Sequence, residues 1–139
     1  MAKVNERRIN FNKEDFEIIK RLQLEEPFKK LQLIDMFALG IIYGKKEGIR
    51  TPLNKKKSGR IRQTTIDNSN VLYLMMAIAV EETGSFDILA NRNDYFKISE
   101  EYAKTGLTLL EEDFIEGPNG LLDDLELEAL RYLDKVGLE

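Results

Sequence analysis

Near the N-terminus, apolar and polar residues alternate in the period-two pattern of a half-buried strand. Ile9 and Phe11 fall on one face of this short segment. Arg8, Asn10 and Asn12 fall on the other. We therefore predict a strand over residues 7–12, with an apolar face toward the core and a polar face outward.

Beyond this strand, apolar residues recur three and four positions apart, which is the spacing of amphipathic helices. The spacing predicts five helices, at residues 13–26, 31–43, 71–82, 91–114 and 121–136. Asn12 suits the N-cap of the first helix, and Pro27 stops it. Gly40 lies inside the second helix and indicates that another backbone packs closely there. The helix over residues 71–82 is so apolar that we predict it to be the central core helix.

The length of 139 residues fits a single domain, 1–139, of a mainly α (α+β) class with a short N-terminal strand. The longest apolar run, at residues 71–80, is half of the roughly twenty residues that a bilayer span needs. The N-terminal residues lack the apolar segment of a secretory signal. We therefore expect a cytoplasmic protein without a membrane partner.

The sequence contains neither cysteine nor histidine. This composition excludes disulfides, thiolate nucleophiles, Cys/His zinc sites and imidazole acid–base catalysis. Two acidic clusters, at residues 111–116 and 123–128, lack the regular ligand positions and the central glycine of a calcium loop. We expect them to be solvated helix faces, and we predict a protein that is not an enzyme and that uses no cofactor or metal.

Charge is divided unevenly along the chain. Residues 1–62 contain sixteen Lys or Arg against eight Asp or Glu, a net charge of +8. Residues 63–139 contain five against seventeen, a net charge of −12, and the two halves sum to −4. The second half is accordingly predicted to be an acidic helical part, whereas the first half is suited to a polyanion.

The positive charge is densest in residues 44–62, which follow the strand-helix-helix unit of residues 1–46 and show no helical periodicity. Eight cations lie in this segment, which we predict to be an extended loop or a short hairpin: Lys45, Lys46, Arg50, Lys55, Lys56, Lys57, Arg60 and Arg62. Such a loop binds nucleic-acid phosphates, docks on an acidic protein or is simply solvated. The residues alone leave these three interpretations open.

The order strand, helix, helix resembles the ribbon-helix-helix DNA-binding proteins. In that family two chains pair their N-terminal strands into a ribbon that enters the major groove. The resemblance implies a homodimer in which Arg8, Asn10 and Asn12 contact bases, and these residue types suit guanine and adenine. Pro27 at the bend and the long remainder of the chain depart from the family pattern. An ordinary strand that begins an α+β domain is the alternative.

Four short motifs occur in order along the chain: Pro27-Phe28-Lys29, Phe37-Ala38-x-Gly40, Arg50-Thr51-Pro52-Leu53 and Glu101-Tyr102-Ala103-x-x-Gly106-Leu107. This order is similar to a small accessory family encoded beside bacterial DNA-phosphorothioation (Dnd) genes, which place sulfur in the DNA backbone, often within restriction or phage defence. The resemblance covers nearly the whole chain. It implies an accessory role among the proteins of a DNA modification system, with no established active site.

Together these observations predict a non-enzymatic, DNA-associated accessory protein that binds backbone phosphates through the basic segment. The alternative is a protein-interaction adaptor that docks on a larger component of the same system. In that case the apolar helix at residues 71–82 or the acidic C-terminal helix would make the contact.

Overall fold

The computed structural model describes residues 6–116 and shows a mainly α-helical fold with one two-stranded antiparallel sheet. The strands and α-helices are, in chain order, β1 (Ile9–Asn12), α1 (Lys13–Leu22), α2 (Leu33–Glu47), β2 (Lys57–Ile61), α3 (Gln63–Asp67), α4 (Val71–Thr83) and α5 (Arg92–Glu111). Short 3-10 turns precede α2 and α5, at Phe28–Lys30 and Phe86–Ala90, and a π-helical turn follows α5 at Glu112–Glu116. The predicted fold class is confirmed.

Strand β1 forms where it was predicted, but its partner is β2 of the same chain. The antiparallel register places Ile9 opposite Ile61, with an irregularity directly after Ile9. The other edge of β1 is also occupied, because the Asn10 N–H donates to the Glu100 carboxylate at 2.5 Å. The ribbon-helix-helix interpretation is therefore wrong for this strand, since it needs an edge of β1 that is open to a second chain.

The basic segment is only partly a loop. Helix α2 continues through Glu47, so Lys45 and Lys46 lie in its last turn, and Gly48 ends it with a φ of 78°. This left-handed conformation is accessible to glycine at little cost. Residues 57–61 then form β2, which pairs antiparallel with β1.

Helices α2 and α5 approach each other closely because both carry glycine where they meet. A Cβ on Gly106 would lie 2.6 Å from the carbonyl carbon of Gly40 and 2.7 Å from the backbone nitrogen of Gly44. A Cβ on Gly44 would lie 2.7 Å from the carbonyl carbon of Tyr102. The prediction that Gly40 marks a close backbone contact is confirmed.

Helix α5, not α4, lies at the centre of the fold. Eleven residues of α5 are buried, between Tyr95 and Leu110, whereas α4 buries Met75, Ile78 and Ala79. The prediction that residues 71–82 form the central helix is therefore wrong. An apolar sequence on every side of a helix favours burial on every side, yet α4 leaves Tyr73 68% exposed.

Three points about the helices remain. The predicted helix at residues 121–136 lies outside the described residues. Helix α3 was not predicted, because its five residues are too few to show a periodic pattern. Among the helices in residues 6–116, none has the length and apolar composition required to cross a bilayer.

Candidate nucleic-acid interface

The β1–β2 sheet and the turn before β2 carry a concentration of exposed cations. We call residues 8–12 and 54–62 the basic hairpin for their antiparallel pairing, although α1 and α2 separate the two strands along the chain. Its six exposed cationic residues are Arg8, Lys55, Lys56, Lys57, Arg60 and Arg62. Within residues 6–116 none of these six forms an ion pair. Unpaired like charges on one small surface create a positive local field that attracts anions.

Two of these cations are oriented by their neighbours. Arg8 lies against β2 at Gly59, where an added Cβ would come within 2.8 Å of the Arg8 Cβ. The missing side chain of Gly59 therefore makes room for Arg8. The guanidinium carbon of Arg60 lies 4.3 Å from the centre of the Phe16 ring, within the range of a cation–π contact. The aliphatic part of Arg8 and the guanidinium group of Arg60 are thus held against the fold, while both residues remain exposed.

Asn12 is not an outward residue, although the period-two pattern placed it beside Arg8 and Asn10. It is fully buried, and its side-chain amide donates to the Asn54 side-chain oxygen at 2.8 Å. In return the Asn54 N–H donates to the Asn12 side-chain oxygen at 3.1 Å. Asn54 also accepts the Lys56 N–H at 2.8 Å, an Asx turn that shapes the tip of the basic hairpin. The predicted base contact of Asn12 is therefore wrong, and its role is to anchor this turn. Asn10 is half-buried.

The other three predicted cations lie before the basic hairpin. Lys45 forms ion pairs with Glu81 at 3.2 Å and Glu82 at 3.8 Å. Arg50 binds Glu101 at 2.7 Å and Glu82 at 3.3 Å. The first half of the basic segment is therefore neutralised by acids of α4 and α5, and only Lys46 of these three is exposed.

Arg50 belongs to an ionic network that fastens the segment to the helices. Burial of Arg50 disfavours its charge, but the hydrogen bonds and charges of Glu101 and Glu82 outweigh this effect and raise the pKa of Arg50. The Tyr102 hydroxyl donates to Glu82 at 2.5 Å. This hydrogen bond is the main reason that the pKa of Glu82 is lowered. Burial first, and then the bond to Glu82, raise the pKa of Tyr102 to about 12.

The next residue continues the attachment to α5. The Thr51 N–H donates to the Glu101 carbonyl oxygen at 3.2 Å, and the Thr51 and Thr105 hydroxyls are hydrogen-bonded at 2.6 Å. The motif Arg50-Thr51-Pro52-Leu53 therefore contacts the motif that begins at Glu101. Two of the four sequence motifs that carry the family resemblance thus meet in space.

A groove of 440 Å³ lies between this segment, β2 and the start of α5, and we call it the α5 groove. Pro52 and Leu53 form part of its wall. Its polar lining consists of Arg7, Lys57, Asn93, Lys97, Glu100 and Glu101. Lys57 thus belongs both to the basic hairpin and to this groove.

Sequence patterns missed several of these residues. Asn54 looked like an ordinary loop residue, and Arg7 gave no sign that it would bind Glu100 through two hydrogen bonds, at 2.7 and 2.9 Å. These contacts join positions far apart in the chain, so no local spacing predicts them. Asn54 before three lysines is a turn signal that the sequence does offer. Within residues 6–116, acidic residues form no group able to hold a metal ion.

Comparison with protein families matches residues 8–135 to the family described as DNA sulphur modification system-associated protein 4, and the chain therefore belongs to this family. The family resemblance predicted from the four sequence motifs is confirmed. Neither a curated protein nor a solved structure matches the chain.

Proposed function

We propose that this family member is a non-enzymatic accessory protein of a DNA modification system that binds the DNA backbone through the basic hairpin. The observation that carries the proposal is the set of six exposed cations without ion pairs in the described chain. Association of the family with a DNA sulphur modification system makes DNA the polyanion to expect.

The shape of the basic hairpin supports the same proposal. A two-stranded ribbon fits the major groove of B-DNA, and here a single chain supplies both strands. Arg8, which is exposed, and Asn10, which is half-buried, would approach base edges. Lysines and arginines at the tip and on β2 would contact phosphates. The ion pairs of Lys45 and Arg50 would hold the root of the hairpin to the helices.

Binding of duplex DNA at several salt concentrations tests the proposal. Each phosphate contact adds about 0.9 to the slope of log affinity against log salt. Replacement of Lys55 and Lys56 by Ala should therefore lower the slope by about 1.8 and weaken binding to every sequence alike. Lys29→Ala with Lys30→Ala is the matched control, because it removes the same charge from two exposed residues of the first 3-10 turn.

Thermal unfolding establishes that both double variants keep the fold. Equal loss of affinity in the two would mean that net charge, and not the basic hairpin, governs binding. Unchanged affinity in the hairpin variant would refute the proposal. A stronger form replaces all five cations of residues 55–62 and should remove about 4.5 from the salt slope.

The adaptor function is a second candidate, favoured by the exposed apolar side of α4. Tyr73 is 68% exposed and Phe86, in the turn after α4, is 78% exposed. Other apolar residues of α4 are half-buried, among them Leu72 and Met76. Exposed apolar surface of this kind suits a protein contact, and the family association directs the search to proteins of the same modification system.

Co-purification with each protein encoded in the same system tests the adaptor function. Tyr73→Asp should dissociate such a complex while leaving DNA affinity unchanged. The matched control is Thr108→Asp, which places the same charge on an exposed position of α5 without removing an aromatic contact. Sedimentation of the isolated protein at micromolar concentration tests the predicted homodimer, which stays a prediction.

A further inference from the structure

We infer that the α5 groove binds one phosphate group, with the ammonium groups of Lys57 and Lys97 and the side-chain amide of Asn93 as its donors. The inference deepens the proposed function and rests on it where the phosphate belongs to DNA. A free phosphate or a nucleotide would present the same chemistry.

Each of the two carboxylates that line the groove already binds an arginine. Glu100 accepts two hydrogen bonds from Arg7, at 2.7 and 2.9 Å, and one from the Asn10 N–H. Glu101 accepts two from Arg50, at 2.7 and 2.9 Å. Both residues are buried, at 5% and 6% exposed. Each carboxylate thus faces an arginine, whose charge offsets the repulsion of an anion in the groove.

The remaining charges of the groove are positive. Lys57 enters from the start of β2, and Lys97 enters from the second turn of α5. Neither forms an ion pair within residues 6–116. Two ammonium groups that line one groove and form no ion pair in the described residues are suited to bind an anion.

Asn93 adds an oriented donor. The Arg7 Nε donates to the Asn93 side-chain oxygen at 2.9 Å. Because arginine only donates hydrogen bonds, this contact fixes the amide oxygen toward Arg7 and leaves the amide nitrogen to donate elsewhere. Asn93 and Lys97 are four residues apart and therefore share one face of α5. Asn93 also lies in the first helical turn, where the helix dipole favours negative charge.

The size of the groove fits a phosphate with an attached sugar or base. Its 440 Å³ falls within the roughly 300 to 1,000 Å³ typical of ligand pockets. Since Lys57 belongs to both surfaces, a DNA strand bound along the basic hairpin could place one phosphate in the groove. The expected ligand class is therefore a phosphate monoester or diester.

Amide chemical shifts of the full-length protein, recorded at constant ionic strength, test the inference. The three probes are inorganic phosphate, a deoxydinucleotide and duplex DNA. The chloride concentration is lowered as each probe is added, so that the ionic strength stays constant. All three should shift the amides of Asn93 and Lys97 in a saturable manner. Lys97→Gln should abolish the shifts caused by inorganic phosphate and lower the salt slope for duplex DNA by about 0.9.

Lys30→Gln is the matched control, because it removes one charge from an exposed residue far from the groove. Phe28 of the same turn packs on Phe114, with the two ring centres 5.1 Å apart. Phe114 lies seventeen residues beyond Lys97. That separation is about 25 Å along the helical axis. Lys30→Gln should therefore leave the groove shifts and the salt slope unchanged.

The outcomes separate this inference from the proposed function. If duplex DNA binds through the basic hairpin but neither phosphate nor DNA shifts the groove amides, and Lys97→Gln keeps the parental slope, the inference falls and the function stands. If inorganic phosphate saturates the groove but duplex DNA does not bind, the groove is a site for free phosphate compounds and the proposed function falls. Failure of all three probes overturns both.

Discussion

Replacement of Gly106 by Ala tests the packing that supports both candidate surfaces. Gly106 lies in α5 where this helix meets α2, and an added Cβ would come within 2.6 Å of the Gly40 carbonyl carbon. The obstructing atoms are backbone atoms of α2, which cannot rotate away as a side chain would. The helices must therefore separate, and the interface on which Arg50 and Thr51 are held must loosen.

The net effect combines two opposing contributions. Ala in place of Gly inside a helix stabilises it by about 1 kcal/mol. Overpacking of a tight interface costs about 1 to 3 kcal/mol, and a clash with backbone belongs at the upper end. We therefore expect Gly106→Ala to lower the free energy of unfolding by about 2 kcal/mol. For a chain of 139 residues this corresponds to a Tm lower by about 8 °C.

Chemical and thermal denaturation followed by circular dichroism measure this change. Thr108→Ala, two residues further along α5, is the control, because Thr108 is exposed and Ala is the better helix former. It should keep or slightly raise the Tm. If Gly106→Ala is as stable as the parent protein, only the helix propensity has acted, and the close approach of α2 and α5 is refuted.

Three further predictions concern polar side chains that form specific hydrogen bonds or ion pairs. The pKa of Glu82 lies below its ordinary value of 4.5, so its contribution to the free energy of unfolding is present above pH 4.5 and is lost as the pH falls. Glu82→Gln should therefore lower the free energy of unfolding by about 1 kcal/mol at pH 7. Denaturant titrations should show that the difference between variant and parent shrinks toward pH 3. Lys104→Met leaves the buried Asp15 carboxylate without its ion pair at 2.9 Å and should cost about 3 kcal/mol at pH 7. Burial already raises the pKa of Asp15 above 3.8, so protonation at low pH should restore stability to this variant, whereas a pH-independent loss would contradict the argument. Asn12→Ala should cost about 2 kcal/mol because it removes two hydrogen bonds to Asn54, each worth about 1 kcal/mol. Asn10→Ala, measured beside it by urea denaturation, should cost less.

Local pattern was sufficient for the elements that depend on local spacing. The alternation of Ile9 and Phe11 predicted β1, and the glycine inside α2 predicted a close backbone contact. The same alternation predicted that Asn12 would be exposed, which is wrong, because burial at the end of a strand depends on which other residues pack there. Asn12 instead binds Asn54, which lies 42 residues further along the chain.

The central helix could not be identified from composition for a related reason. Apolar content made residues 71–82 the strongest candidate, but α5 carries the glycine that lets α2 approach. Burial then follows from position between neighbours, and α5 buries Glu100 and Glu101 because Arg7 and Arg50 neutralise them. Helix α5 therefore has the most buried residues of the described helices, although its sequence contains many charged residues. Long-range ion pairs of this kind leave no local periodic signature.

The position of each charge in the fold, and not the net charge of each half of the chain, decides where unpaired positive charge remains. Several cations of the first half pair with acids of α4 and α5, as Arg7 does with Glu100 and Lys45 with Glu81. These pairs neutralise positive charge at the start of the basic segment, whereas the cations of residues 55–62 keep their charge unpaired in the described chain. At physiological salt the Debye length is about 8 Å, so a phosphate at the tip interacts mainly with the charges immediately around it. A chain with a net charge of −4 can therefore present a surface that attracts a polyanion, because the net charge and the hairpin act over different distances.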